Sequence, residues 1–125
     1  MARVLIVEDD VDICSAWAAG LTLHGNHVQT AIDGLEGIEQ IKGQSFDVIL
    51  LDLSMPRLSG LDTLRLIRET QPNLPIVVVT ALTDHKMTRA AINAGANDIL
   101  FKPLSLNDLA DAVTRHARSA RNIGL

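Results

Sequence analysis

At 125 residues the chain is long enough for one domain with a real core and too short for two. Its 47% hydrophobic content excludes a disordered segment, and a net charge of -4 supplies no basic stripe for direct nucleic-acid binding. No apolar run approaches the roughly 20 residues that cross a bilayer, so no membrane contact is expected.

In chain order, Arg3-Val4-Leu5-Ile6-Val7 reads as a buried strand followed by three acids, Glu8-Asp9-Asp10. Met1-Ala2-Arg3 runs straight into that strand without a signal peptide, so the expected location is cytoplasmic. Ile13, Trp17 and Leu21 recur at helical spacing and predict a first helix from Asp12 to about Leu23, stopped by Gly25. Trp17 reads as a core residue, and Cys14, the single cysteine, as a buried inert thiol. His27 to Ala31 is a half-polar strand suited to a sheet edge. Leu35, Ile38 and Ile41 mark a short second helix ended by Gly43.

Val48-Ile49-Leu50-Leu51 is too short for a free-standing helix and reads as a strand buried on both faces. Asp52 ends it, and Ser54, Pro56 and Gly60 supply turn chemistry. A third helix carries Leu61, Leu64 and Ile67 on one side, with Arg65, Arg68 and Glu69 elsewhere. Pro75 opens the β-branched strand Ile76 to Val79, which ends at Thr80. A fourth helix is predicted from Asp84 to Ala94, with Met87, Ala90, Ala91 and Ala94 inward and Gly95 closing it. Asp98 to Phe101 is a fifth strand ending at Lys102-Pro103. Ser105 then reads as the N-cap of a last helix, with Asp108 three residues on and Leu106, Leu109, Ala110, Val113 and Ala117 as its core face. Five strand–helix units in regular alternation define a doubly wound α/β domain, a parallel sheet covered on both faces.

Four of the five strands end, on one side of the sheet, in residues suited to phosphoryl chemistry: Glu8 and Asp9, Asp52, Thr80, and Lys102. Taken singly, each has a plain alternative as a loop cap or a solvated side chain. If the first and third strands are neighbours, Asp9 and Asp52 converge, and converging carboxylates repel unless a cation sits between them. An all-oxygen cluster suits a hard divalent ion, Mg2+ above all.

With these motifs in view, the chain resembles the receiver domains of two-component response regulators, including chemotaxis receivers, over essentially its whole length. The matching features are Val7-Glu8-Asp9-Asp10, Asp52-Leu53-Ser54-Met55-Pro56 with Gly60, Val79-Thr80-Ala81, Gly95-Ala96 and Lys102-Pro103. The resemblance implies a flavodoxin-like (βα)5 sheet of order 2-1-3-4-5, with a receiver domain over 1–119 and 120–125 as a tail or linker stub. It implies that Asp52 accepts a phosphoryl group from a phosphohistidine on a sensor histidine kinase or phosphotransfer protein. Asp9, Asp52 and the backbone carbonyl of Ser54 would hold Mg2+, with Glu8 acting through water. Lys102 would pair first with Asp52 and then with a phosphoryl oxygen, and the Thr80 hydroxyl would bond another. The Lys102-Pro103 peptide would be cis. Such a domain catalyses only its own phosphoryl transfer and slow dephosphorylation, and controls an output domain or a downstream protein. Family members also dimerise through the fourth helix, fifth strand and fifth helix, where this chain carries Lys86, Arg89, Asp98, Asp108 and Arg115 in mixed sign.

Two positions depart from the family pattern. The aromatic residue usual three places before the lysine is Ile99 here, and the chain has no Tyr. Phe101 shares the sheet face of Ile99 and is a candidate substitute. Leu82, two places beyond Thr80, is apolar and cannot orient a hydrolytic water, which predicts slow self-dephosphorylation. Three rival readings stand beside the receiver. A flavodoxin-like cofactor carrier would need Gly, Ser and Thr after the first strand, where this chain has acids. An aspartyl phosphatase would carry an acid where Ser54 stands. A degenerate receiver acting only by docking is kept open by Ile99.

Overall fold

The computed structural model describes residues 1–55, 59–81 and 85–123, the stretch 118–123 by its helical backbone. Pro56, Leu82 and the expected helix start at Asp84 lie outside the described residues. The elements are β1 (Arg3–Val7), α1 (Val11–Leu23), β2 (His27–Ala31), α2 (Gly34–Gly43) and β3 (Val48–Asp52). They continue as α3 (Gly60–Thr70), β4 (Ile76–Thr80), α4 (His85–Asn93), β5 (Asp98–Phe101) and α5 (Leu106–Ile123). The sheet is parallel throughout, in the order β2-β1-β3-β4-β5. The half-polar β2 is an edge strand, and β3 and β4 are buried along their whole length.

The two-residue period of the strands divides the core between the two faces. Val4, Ile6, Val48, Leu50, Val77 and Val79 pack with Cys14 and Leu21 of α1 and with Leu109, Val113 and Ala117 of α5. The alternate residues Leu5, Val7, Ile49, Leu51, Ile76 and Val78 pack with Ile41 of α2, Leu64 and Ile67 of α3, and Ala91 of α4. Each buried Leu, Ile or Val contributes about 1.5–3 kcal/mol relative to exposure, so the two clusters hold the strand ends in register.

Helix starts follow local chemistry. The side chains of Asp10, Asp33, Ser59 and Ser105 accept from the backbone N–H of Ile13, Glu36, Asp62 and Asp108. Gly25 (φ 90°) and Gly95 (φ 110°) follow α1 and α4 in the left-handed region.

One expectation changes. Leu35 is 52% exposed; α2 instead meets the sheet through Gly37, where a Cβ would stand 2.9 Å from Val7 Cγ2. Arg68, off the apolar side of α3, is half-buried. Its guanidinium donates to the carbonyls of Gly95, Gln71 and Leu74 and to Asn97 Oδ1, over 2.6–3.0 Å. The last helix runs on to Ile123.

Candidate functional site: an acidic cluster with a lysine at the strand ends

Strand register assembles the site. Val7 is the partner of Leu51 across β1 and β3, so the residues that follow, Glu8 and Asp52, emerge side by side. Asp52 is the partner of Val79 in β4, and Thr80 comes next. Thr80 in turn pairs with Phe101 of β5, and the Lys102 N–H donates to the Thr80 carbonyl at 2.8 Å. All the sequence-predicted site residues therefore lie along one edge of the sheet. The Lys102-Pro103 peptide is cis.

One oxygen from each of Glu8, Asp9 and Asp52 can be chosen so that all three lie within 4.8 Å of one another. Glu8 and Asp52 are 1% and 4% exposed, whereas Asp9 faces solvent. The third acid, Asp10, caps α1 and stands outside this set. Asp52 Oδ1 accepts from the Ser54 N–H at 3.0 Å, and Glu8 Oε2 from the Asp10 N–H at 3.2 Å.

The Lys102 ammonium donates to Glu8 Oε1 at 2.6 Å and stands 3.6 Å from Asp52 Oδ2. Its shorter contact is therefore with Glu8, and Asp52, the partner that the resemblance implies, also lies within ion-pair distance. Burial works to lower the Lys102 pKa, but the hydrogen bond to Glu8 and the charges of both carboxylates outweigh it, and the net shift is upward. The lysine is a fixed positive charge. Asp9 is raised above the ordinary aspartate value, first by desolvation and then by its contact with Glu8. Among the described residues, one ammonium faces three neighbouring carboxylates and does not neutralise them. The donor set is all oxygen and carries excess negative charge, and it fits a small dication held by Asp9 and Asp52.

The start of α3 packs closely against the chain at the end of β3. The Gly60 N–H donates to the Leu53 carbonyl at 3.1 Å, and a Cβ on Gly60 would overlap the Asp52 carbonyl oxygen and Leu53 Cα. Ile99 packs in the cluster under α3 and α4, while Phe101 is 47% exposed. A hollow of about 630 Å³ between α2 and α3, lined by Leu35, Ile38, Leu66 and Ile67, is not lined by Glu8, Asp9 or Asp52. Chemistry, not concavity, marks the site.

The sequence reading missed one neighbour. The Trp17 ring of α1 lies under Lys102, with the ammonium 5.7 Å from its centroid. No local signal announced it, because α1 and the residue after β5 meet only in the folded chain.

The response regulator receiver domain model matches residues 4–114. The chain belongs to this family: it is a receiver domain of the two-component response regulators, a signalling domain. Among curated relatives it is 39% identical over 107 residues to response regulator MprA of Mycobacterium ulcerans, covering 86% of this chain and 46% of that protein. The chain thus spans about half the length of the curated relatives it matches. A response regulator receiver domain structure from Clostridium thermocellum superposes with a TM-score of 0.92 at 30% identity, covering 98% of this chain and 99% of that one. NtrX from Brucella abortus superposes with a TM-score of 0.89 at 29% identity, covering 96% of this chain and 28% of NtrX. No helix among the described residues is long and apolar enough to cross a membrane.

Proposed function

We propose that Asp52 is the phosphoacceptor of this receiver, and that phosphorylation switches it to control an output domain or a separate protein partner in the cytoplasm. The supporting observation is the convergence of Glu8, Asp9, Asp52 and Lys102 on one sheet edge. A carboxylate oxygen of Asp52 attacks the phosphorus of a phosphohistidine on a kinase or phosphotransfer protein. The P–N bond breaks as the P–O bond forms, and the imidazole leaves with the bonding pair. Phosphoryl transfer asks little covalent work of a protein beyond alignment and charge neutralisation. The Lys102 ammonium turns from the carboxylates to a phosphoryl oxygen, and the Thr80 hydroxyl donates to another. Asp9, Asp52 and the Ser54 carbonyl would hold Mg2+, with Glu8 acting through water; the ion would neutralise charge on the transferring group. The receiver unit is residues 1–119, and the domain turns over only its own phosphoryl group.

The test is intact mass after incubation with Mg2+ and acetyl phosphate. A gain of one phosphoryl group that needs Mg2+ and vanishes in Asp52→Asn supports the reading. No gain, under conditions that label a known receiver, would withdraw the role of Asp52 and leave a docking module.

A further inference from the structure

We propose that Trp17 is a positioning residue that holds the Lys102 ammonium over the acidic cluster. This rests on the role proposed for Lys102 at the same site. A lysine has a flexible four-carbon stem and a compact charge, so its position must be set by its surroundings. Glu8 and Asp52 supply two of those surroundings through the carboxylates. The indole supplies a third from the α1 side, with its centroid 5.7 Å from Nζ, inside the range of a cation–π contact.

The packing fixes this arrangement. Trp17 is half-buried against the cluster formed by β1, β3, β4, α1 and α5, and Leu104, two residues beyond Lys102, packs against the same cluster. One helical turn beyond Trp17, Gly20 presents no side chain, and Leu106 of α5 fills the space its Cβ would take. The chain leaving Lys102 is therefore clamped to α1 beside the indole. A ring face attracts a cation without a directed hydrogen bond. The ammonium can turn from Glu8 to a phosphoryl oxygen while the ring still confines it.

Trp17 is the only Trp in a chain without Tyr, so one fluorophore reports the contact directly. Two readouts test it on the full chain. Trp17 emission should change in Lys102→Gln and stay close to wild type in Lys102→Arg, which retains a cation; circular dichroism confirms that each is folded. In Mg2+ and acetyl phosphate, Trp17→Leu should slow labelling about two- to fivefold, and Trp17→Phe should recover most of the rate. Emission indifferent to Lys102→Gln would overturn the inference. So would Trp17→Leu labelling at the wild-type rate, or Trp17→Phe no faster than Trp17→Leu. If wild-type protein is not labelled at all, the phosphoacceptor reading falls. The emission series then decides alone: a change on charge removal upholds the restraint of the ammonium, and no change overturns it.

Discussion

Replacing Lys102 by Met isolates the electrostatics of the site. The stem volume is nearly kept while the one cation beside Glu8 and Asp52 among the described residues is lost. Glu8 is 1% exposed, and its other hydrogen bond comes from the Asp10 N–H. Removing one partner of a buried ion pair costs about 3–5 kcal/mol, because the remaining charge stays desolvated. The Lys102 side chain is 19% exposed, so water reaches part of the vacated space, and about 2–3 kcal/mol is the expected loss. With an unfolding entropy of about 2.1 cal/mol/K per residue, a domain of this length should melt about 8–11 °C lower. Thermal and urea unfolding at neutral pH, with a chelator present, measure it. The deficit should be full at neutral pH and shrink as pH rises past 10.5 through the higher folded value of Lys102, where wild type loses the same charge. It should also shrink in saturating Mg2+, which supplies the missing positive charge. A melting temperature within about 2 °C of wild type would refute the claim that the lysine neutralises a buried carboxylate.

Other parts of the fold carry equally direct expectations. Gly60→Ala forces a methyl group into the Asp52 and Leu53 backbone; a loss of about 1–3 kcal/mol in urea unfolding is expected, and an unchanged midpoint would show that α3 can retreat. Arg68→Lys cannot serve the carbonyls of Gln71, Leu74 and Gly95 together, and should cost about 2 kcal/mol by the same assay. At Asp98, burial raises the carboxyl pKa, but the His116 hydrogen bond, the Ile99 N–H and the charges of His116 and Arg115 outweigh it, leaving it below 3.8. Its stabilisation is therefore present above pH 3.8 and lost as pH falls through the lower folded value. Asp98→Asn should cost up to about 1 kcal/mol at neutral pH, with the difference from wild type vanishing in strong acid.

The chain by itself determined the class of fold and the inventory of the site. Strand runs such as Val48-Ile49-Leu50-Leu51, the cap Ser105 and the stop at Gly95 are local signals, read through side-chain period and backbone conformation. Position at a strand end is also local, which is why Glu8, Asp9, Asp52, Thr80 and Lys102 were legible one by one. The sheet order came through family resemblance, since alternation alone fixes handedness and not which strands are neighbours. Only the tertiary structure decided how the residues are partnered. Lys102 bonds Glu8 more closely than Asp52 across 94 positions of sequence, because strand register and stem length together set where the ammonium arrives. The same holds for Trp17 beneath it, for Arg68 bonded to the carbonyl of Gly95, and for Leu35 turned outward where Gly37 meets Val7. Side-chain period says which face a residue occupies; what it meets there depends on elements packed from elsewhere in the chain.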